Sequence, residues 1–268
     1  MNPNLLENKS IIVHSAAGAV GSAVARAFAQ QGAQLFLTSR ESSWGKLKTL
    51  ADELRRSGSV AELAAVDTLD ETSVEQHAES VAAKTGRIEV VFNAIGIPQI
   101  GIQGLSLLEL PVEQFMRPAE TYLKSHYITS RAAIRRMLPA KSGVILLHTP
   151  EPARVGAPLI GGMGPMWAGL EAFARDLSAE FGAQGIRAVC LRTTGLPETE
   201  TITTVFGLHA KAIGVAREQF QSIMESMSHH RRSTTLKELS SAATFAASDL
   251  GAGLFGTVLN LTAGKCAD

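Results

Sequence analysis

Short apolar runs alternate along this chain with longer segments in which apolar residues recur at three- and four-residue intervals. The runs predict seven buried strands, at 11–13, 34–38, 60–66, 88–93, 143–147, 187–191 and 257–261. The segments between them predict helices, which open near 20 and cover 46–56, 71–84, 112–138, 170–181 and 236–248. Since strands covered on both faces read as continuous apolar runs, the pattern predicts an α/β fold with a doubly wound parallel sheet.

Nothing in the sequence marks a boundary between domains. A chain of 268 residues can fold as one α/β domain, and it contains no repeat, linker or low-complexity segment. We therefore expect a single domain over residues 1–268. The pattern of residues 201–228 predicts a mobile helical insertion over the sheet ends.

Composition narrows the class of partner. Lys and Arg together number 25, as do Asp and Glu, and the resulting net charge of zero argues against nucleic acid or an anionic membrane. No apolar run approaches a membrane span, and residues 1–9 lack the features of a signal peptide. Cys190 and Cys266 provide neither a disulfide framework nor metal-ligand spacing. We expect a cytoplasmic protein without a metal site.

The stretch Ile11–Gly21, I-I-V-H-S-A-A-G-A-V-G, combines a strand, a loop of small residues and the start of a helix. This order builds a phosphate site in α/β proteins, because small residues let the backbone approach a pyrophosphate and the helix N-terminus offers unpaired N–H groups. A tight strand–helix turn without a ligand gives the same pattern. The two glycines, Gly18 and Gly21, do not decide between these interpretations.

Over nearly its full length, the chain resembles the short-chain dehydrogenase/reductase family. The family's glycine motif T-G-x-x-x-G-x-G lies on residues 14–21, where His14 and Ser15 replace the first Thr-Gly pair. The family's N-N-A-G lies on 93–96 as N-A-I-G, and the ending G-T-V-L-N-L-T-A-G is similar to the family's last strand and tetramer-forming tail. The resemblance implies a Rossmann-type domain, a small-molecule substrate and a homotetramer or homodimer.

The same resemblance implies which residues contact a dinucleotide: Ser15, Gly18, Val20, Gly21, Arg40, Asp67, Asn93, Gly96, Gly195 and Thr199. Asp67 stands where the family contacts the adenine ring, and Thr199 where a threonine often meets the carboxamide. Arg40 follows the second strand, where an acidic residue holds a ribose 2′-hydroxyl and an arginine accommodates a 2′-phosphate. The sequence therefore favours NADP(H), with NAD(H) as the alternative cofactor and a solvated surface arginine as the alternative role for Arg40.

The family's catalytic residues are absent. The family uses a serine after the fifth strand, Tyr-x-x-x-Lys beyond it, and an asparagine in the preceding long helix. Aligned without gaps, the serine falls on Pro150, the tyrosine on Met163 and the lysine on Trp167. Met163 has no proton to give and Trp167 no positive charge, so neither replacement conserves the chemistry. No tyrosine follows residue 128, so a register shift cannot restore the motif.

Tyr122 and Thr149 are the candidates for a replacement proton donor. Tyr122 lies on or next to the family's asparagine position, and His126 lies one helical turn further along the same face. Thr149 ends the fifth strand beside the lost serine, whereas His148 points to the opposite side of that strand. The alternatives are that Tyr122 packs against a neighbouring subunit and that the two histidines are structural.

Other polar residues near the predicted site have simpler interpretations. We interpret Glu151 and Arg154 as solvated loop charges. Residues 229–232, H-H-R-R, fit a solvated turn better than a metal or anion motif. The resemblance also implies that the insertion, over about 193–232, is a substrate lid, and His209 within it is a candidate to line the substrate pocket.

Three functions stay open at this point. An atypical NADP(H)-dependent oxidoreductase would act on a small carbonyl or alcohol substrate with a non-standard proton donor. A non-catalytic protein of this fold would bind a nucleotide or a partner. An isomerase or lyase would use the same pocket without redox chemistry. The retained cofactor positions favour the first two hypotheses, and the lost Tyr–Lys pair favours the last two.

Overall fold

The computed structural model describes residues 4–267 and has the predicted α/β architecture. The strands within that range are β1 (Ser10–His14), β2 (Gln34–Ser39), β3 (Ala61–Ala65), β4 (Val90–Asn93), β5 (Gly143–Pro150), β6 (Ile186–Thr193) and β7 (Thr257–Leu261). The α-helices there are α1 (Ala19–Ala29), α2 (Trp44–Arg56), α3 (Glu71–Thr85), α4 (Val112–Pro118), α5 (Lys124–Met137), α6 (Met163–Phe181), α7 (Glu200–Ile213), α8 (Arg217–Ser226) and α9 (Leu236–Ala247).

All seven strands run parallel in one sheet of order β3-β2-β1-β4-β5-β6-β7. The chain builds outward from β1 to β3, then returns to the other side of β1 and continues to β7. The strand order therefore reverses between β1 and β4, where His14 pairs with Asn93. In sheets of this kind a ligand binds in the crevice at the carboxyl ends of the strands at such a switch point.

The strands alternate their side chains between two apolar layers. Ile11 and Val13 of β1 pack into one layer with α1, α2 and α9, and Ile12 packs into the other with α3, α5 and α6. Both faces of the central strands are therefore buried, which is why their sequences read as continuous apolar runs. The predicted doubly wound sheet is confirmed.

Two predicted element boundaries need correction. Helix α6 begins at Met163, seven residues before the predicted start at 170. The helix can include Pro165 because this proline lies in its first turn. A proline is tolerated there, since the N–H groups of that turn have no partner within the helix. The predicted helical insertion at 201–228 consists of two helices, α7 and α8, with Gly214 in a left-handed conformation at the end of α7. No helix among residues 4–267 is long and apolar enough to span a bilayer.

Candidate active site

The loop that joins β1 to α1 lies at the switch point. Ser15 has a positive φ of 57°, and Gly18 directly precedes the first residue of α1. A Cβ on Gly21 would lie 2.7 Å from the Ser15 carbonyl oxygen and 2.8 Å from the Ala16 Cα. Glycine at this position is therefore what lets α1 pack so closely on the loop.

The N-terminus of α1 is open to an anion. Gly18 offers no side chain to cap the helix, and the first turn, which includes Val20, has no acidic residue. The N–H groups of such a turn are unpaired within the helix and carry a partial positive charge. The loop therefore fits the pyrophosphate of a dinucleotide.

Arg40 and Asp67 follow the two strands beyond β1. Arg40 comes directly after β2, is exposed, and its guanidinium has no hydrogen-bond or ion-pair partner among residues 4–267. Asp67 is exposed beyond β3 and accepts a hydrogen bond from the Leu69 N–H at 3.0 Å. Arg40 is thus free to bind a phosphate group that comes over the end of β2.

Asn93 and His14 form the buried floor of the crevice. Asn93 is 1% exposed, and neither atom of its amide has a hydrogen-bond partner among residues 4–267. Burial, reinforced by two neighbouring histidines, lowers the pKa of His14 to about 3, so this ring is neutral at physiological pH. Gly96, beyond β4, is exposed and has open space where a Cβ would stand.

Three of the four positions aligned with the family's catalytic residues, Tyr122, Met163 and Trp167, lie in one apolar cluster. Met163 opens α6 and is fully buried, Trp167 follows one turn later and is half-buried, and both pack with Tyr122. Pro150 ends β5. Tyr122 belongs to a π-helical turn, Ala119–Leu123, that joins α4 to α5. Such turns are rare and frequently occur at functional sites.

Tyr122 carries the hydroxyl group of this cluster. The residue is 8% exposed, and burial raises its pKa to about 12, although the Ile97 backbone and the Gln99 side chain oppose that rise. Its phenol is therefore protonated at neutral pH. The predicted proximity to His126 is confirmed: the two rings lie 6.3 Å apart, and His126 Nδ1 is 2.8 Å from the Tyr122 carbonyl oxygen.

Thr149 lies outside this cluster and is fully buried. Its hydroxyl donates to Glu171 Oε1 at 2.9 Å and lies 3.3 Å from Cys190 Sγ. Arg192 holds the same carboxylate with two hydrogen bonds of 2.8 and 2.7 Å. His148 faces the other side of the sheet, as the strand alternation predicts, and its Nε2 lies 2.9 Å from Thr193 Oγ1. The Thr149 hydroxyl therefore already donates its hydrogen bond to a buried carboxylate.

Gly195 and Thr199 lie between β6 and α7. A Cβ on Gly195 would lie 3.0 Å from the Phe206 ring. Thr199 caps α7, because its hydroxyl accepts a hydrogen bond from the Ile202 N–H at 3.2 Å and donates to the Leu196 carbonyl at 2.8 Å. In this arrangement both hydrogen-bonding functions of the Thr199 hydroxyl are used at the start of α7.

The interpretation of Glu151 as a solvated loop charge is wrong. Its side chain is 5% exposed, and Oε1 lies 2.7 Å from Lys265 Nζ. Arg154 is exposed, as expected, and His229 and His230 are exposed in the turn that the sequence predicts. Within residues 4–267, no three His, Cys, Asp or Glu side chains come together to hold a metal ion.

Comparison with known proteins identifies the family. A family model described as enoyl-(acyl carrier protein) reductase matches residues 16–265. The uncharacterized oxidoreductase YxbG of Bacillus subtilis is 27% identical over 245 residues, which cover 91% of this chain and 86% of that protein. The 3-oxoacyl-(acyl-carrier-protein) reductase FabG of Chlamydia muridarum is 30% identical over 190 residues, 70% of this chain and 74% of that protein. The chain is a short-chain dehydrogenase/reductase.

A solved structure supports the same fold for this short-chain dehydrogenase/reductase. The structure of an NAD+-bound xylitol dehydrogenase matches with a TM-score of 0.90 at 20% identity, and the match covers 97% of this chain and 99% of that chain. The family is one of oxidoreductases, and the resemblance inferred from the sequence is confirmed.

Sequence reasoning missed two buried polar residues of this short-chain dehydrogenase/reductase, in the segment that follows β4. Gln99 and Gln103 are 6% and 5% exposed and are hydrogen-bonded to each other. Residues 97–110 have no helical or strand periodicity, so no pattern marked these side chains as buried. Their four-residue spacing and their position directly after the N-A-I-G motif are the signals that were present.

Proposed function

We propose that this short-chain dehydrogenase/reductase binds NADP(H) and reduces an apolar carbonyl compound, with Tyr122 as hydrogen-bond donor to the carbonyl oxygen. The observation that carries the cofactor preference is Arg40. Its guanidinium is exposed and has no partner among residues 4–267, so it contributes little to folding stability but is placed to bind a 2′-phosphate.

Different residues of the crevice would contact different parts of the cofactor. The α1 N-terminus, with Ser15, Gly18 and Gly21, would hold the pyrophosphate, and Asp67 would border the adenine ring. Asn93, Gly96, Gly195 and Thr199 complete the proposed set. A bound nicotinamide cofactor supplies the hydride in this chemistry. The chain itself has to orient the carbonyl group and stabilise the negative charge that develops on its oxygen. A proton from the Tyr122 phenol, replaced in turn from solvent, would complete the alcohol.

Tyr122 is better suited to that second task than Thr149. Its phenol stays protonated because its pKa is about 12, so it can donate a hydrogen bond to a carbonyl oxygen at neutral pH. For the same reason it is a poor base for removing a proton from an alcohol. The side chains that pack around it are apolar, and the half-buried Trp167 has exposed surface that a substrate could contact, which favours an apolar substrate.

A nucleotide titration tests the cofactor proposal. Ligand at 100 times its dissociation constant stabilises the native state by about 2.7 kcal/mol, which a melting curve detects easily. Because hydrogen bonds to charged groups contribute about 1.5–3 kcal/mol, Arg40→Ala should weaken NADPH binding by about tenfold to a hundredfold. NADH binding should change little. Arg56→Ala, an exposed arginine in α2, is the charge-matched control. Equal loss for both nucleotides would contradict the 2′-phosphate assignment.

An activity assay tests the proposed role of Tyr122. The chain has two tyrosines, so Tyr122→Phe and Tyr127→Phe form a matched pair. In a screen of aromatic and aliphatic ketones and aldehydes with NADPH, loss of the proton donor should lower kcat by about 10²–10⁴-fold in Tyr122→Phe. Tyr127 is 48% exposed, so its replacement should leave kcat unchanged. Equal kcat values for the two variants would exclude Tyr122 as the donor.

The second candidate function is a non-catalytic nucleotide-binding protein. The observation that favours it is that Met163 is fully buried and packs with Trp167, as side chains of a structural core do. NADPH binding without turnover of any substrate in the screen would support this alternative, or an isomerase or lyase reaction. The absence of nucleotide binding at millimolar concentration would exclude both nucleotide-dependent proposals.

We further propose that the protein is a cytoplasmic homo-oligomer, a tetramer or a dimer. Val112, Met116, Leu123 and Tyr127 form an apolar stripe along α4 and α5 and are 71%, 42%, 38% and 48% exposed. A contiguous apolar surface of this kind favours association. Both cysteines are free and buried, which fits a reducing compartment. Light scattering of the purified protein measures the oligomeric state.

A further inference from the structure

The segment that follows β4 is a single layer of chain at the surface. Residues 97–104 belong to no helix or strand. Pro98 and Ile100 are exposed, whereas Ile102 is fully buried and Gln103 nearly so. The segment therefore has solvent on its outer side and the protein interior on its inner side.

Tyr122 lies against the inner side of this segment. Ile102 belongs to the same buried apolar cluster as Tyr122, and Ile97 packs against that cluster. The other buried members of the cluster come from α6: Met163, Met166 and Leu170. Because α6 is a long helix that also packs on the sheet, the part of this enclosure that can move is the segment 97–104. With the segment in place, Tyr122 is only 8% exposed.

Gln103 and Gly104 attach the end of the segment to neighbouring elements. His209 belongs to α7, and its Nε2 lies 3.0 Å from Gln103 Oε1. The Gly104 N–H donates to the Leu159 carbonyl, in the loop between β5 and α6, at 2.8 Å. Gln103 and His209 are 5% and 6% exposed, so removing either side chain leaves a buried polar atom without its partner.

Two glycines give this end of the segment both a close fit and points of rotation. A Cβ on Gly104 would lie 3.1 Å from the Leu208 Cβ of α7 and 3.2 Å from the Leu208 carbonyl oxygen. Gly101 and Gly104 have φ angles of 82° and 84°, which glycine adopts readily. They flank Ile102 and Gln103, and hinges are positions of this kind, where a loop absorbs a change in φ and ψ.

We propose that residues 97–104 are a gate over Tyr122, which the hydrogen bond between Gln103 and His209 keeps closed until a substrate enters. Opening of the gate moves Ile102 out of the apolar cluster and lets a carbonyl compound reach the phenol. A segment outside helices and strands opens at a lower free-energy cost than the sheet beside it. This inference rests on the proposed function for what enters the gate, whereas the gate itself is a property of the free protein.

The accessibility of Tyr122 can be measured without nucleotide or substrate. In a Tyr127→Phe background Tyr122 is the single tyrosine, so nitration by tetranitromethane, followed by mass spectrometry, reports how often its ring meets solvent. Gln103→Leu should raise the nitration rate by about two- to tenfold, because loss of one hydrogen bond shifts the equilibrium between closed and open gate by that factor. His209→Gln should keep the original rate, since a glutamine amide can still donate to Gln103.

A matched pair of glycine substitutions distinguishes an open gate from a general loosening of the fold. Gly104→Ala and Gly58→Ala both place a side chain at a left-handed φ, of 84° and 89°, but of the two only the Cβ at Gly104 would meet a neighbour. Nitration should be faster in Gly104→Ala and unchanged in Gly58→Ala. Equal acceleration in both variants would overturn the gate. If Gly104→Ala does not fold, Gln103→Leu decides the result alone.

The outcomes separate the gate from the proposed function. An unchanged nitration rate in folded Gln103→Leu overturns the gate, even if NADPH binds and carbonyl compounds are reduced. The expected acceleration in a protein that binds no nucleotide supports the gate and refutes the proposed function. With an active enzyme, Gln103→Leu should lower the KM for the carbonyl substrate by about two- to tenfold, because a larger fraction of the protein is open, and the KM for NADPH should not change.

Discussion

Substitution of Gly21 by alanine tests the glycine loop most directly. The added Cβ would lie 2.7 Å from the Ser15 carbonyl oxygen, 2.8 Å from the Ala16 Cα and 3.1 Å from the Ala94 Cβ. The first two contacts are with backbone atoms, so no side-chain rotation can relieve them and the loop has to move away from α1. Overpacking of this kind typically costs about 1–3 kcal/mol. Moving the loop also displaces the N–H groups that would hold the pyrophosphate.

Urea unfolding and NADPH titration together measure this effect. We expect the free energy of unfolding of Gly21→Ala to fall by about 1–3 kcal/mol and NADPH affinity to fall at least about tenfold. Gly45→Ala is the matched control, since Gly45 also lies in the first turn of a helix but has nothing within 4 Å of its Cβ position. Wild-type stability and affinity in Gly21→Ala would refute the reasoning, because they would mean that the loop does not need this close contact.

Two further predictions concern the buried charges and histidines. Arg192→Met should cost about 3–5 kcal/mol of unfolding free energy, because it leaves the Glu171 carboxylate buried without its arginine, and adding Glu171→Leu should recover most of that loss in urea unfolding. A single variant as stable as the double variant would contradict this. Burial lowers the pKa of His148 to about 4, so the unfolded chain binds a proton below pH 6.5 that the folded chain does not. Stability should therefore fall as the pH drops from 6.5 toward 4. His148 alone should contribute up to about 1.4 kcal/mol per pH unit, so the fall should be less steep in His148→Gln than in the control His230→Gln.

The sequence predicts the sheet better than it predicts the site. Continuous apolar strands follow from burial on both faces, a local property that each strand shows by itself. The contacts of the site join residues far apart in the chain, and no local pattern records them. Glu151 was expected to be solvated because its neighbours are loop residues, yet its partner Lys265 is 114 positions away. His209 and Gln103 are likewise 106 positions apart, in segments without a shared motif.

The structure also changes which residues carry information about function. Gly21 is required by the packing of α1 on its own loop, so its presence is explained by the fold even without a ligand. Arg40 has no such explanation, since its guanidinium is exposed and makes no hydrogen bond or ion pair among residues 4–267. A lone surface charge of this kind contributes almost nothing to stability. The response of Arg40→Ala to NADPH and NADH therefore distinguishes a dinucleotide site from a glycine turn without a ligand, a distinction that the glycine motif alone cannot make.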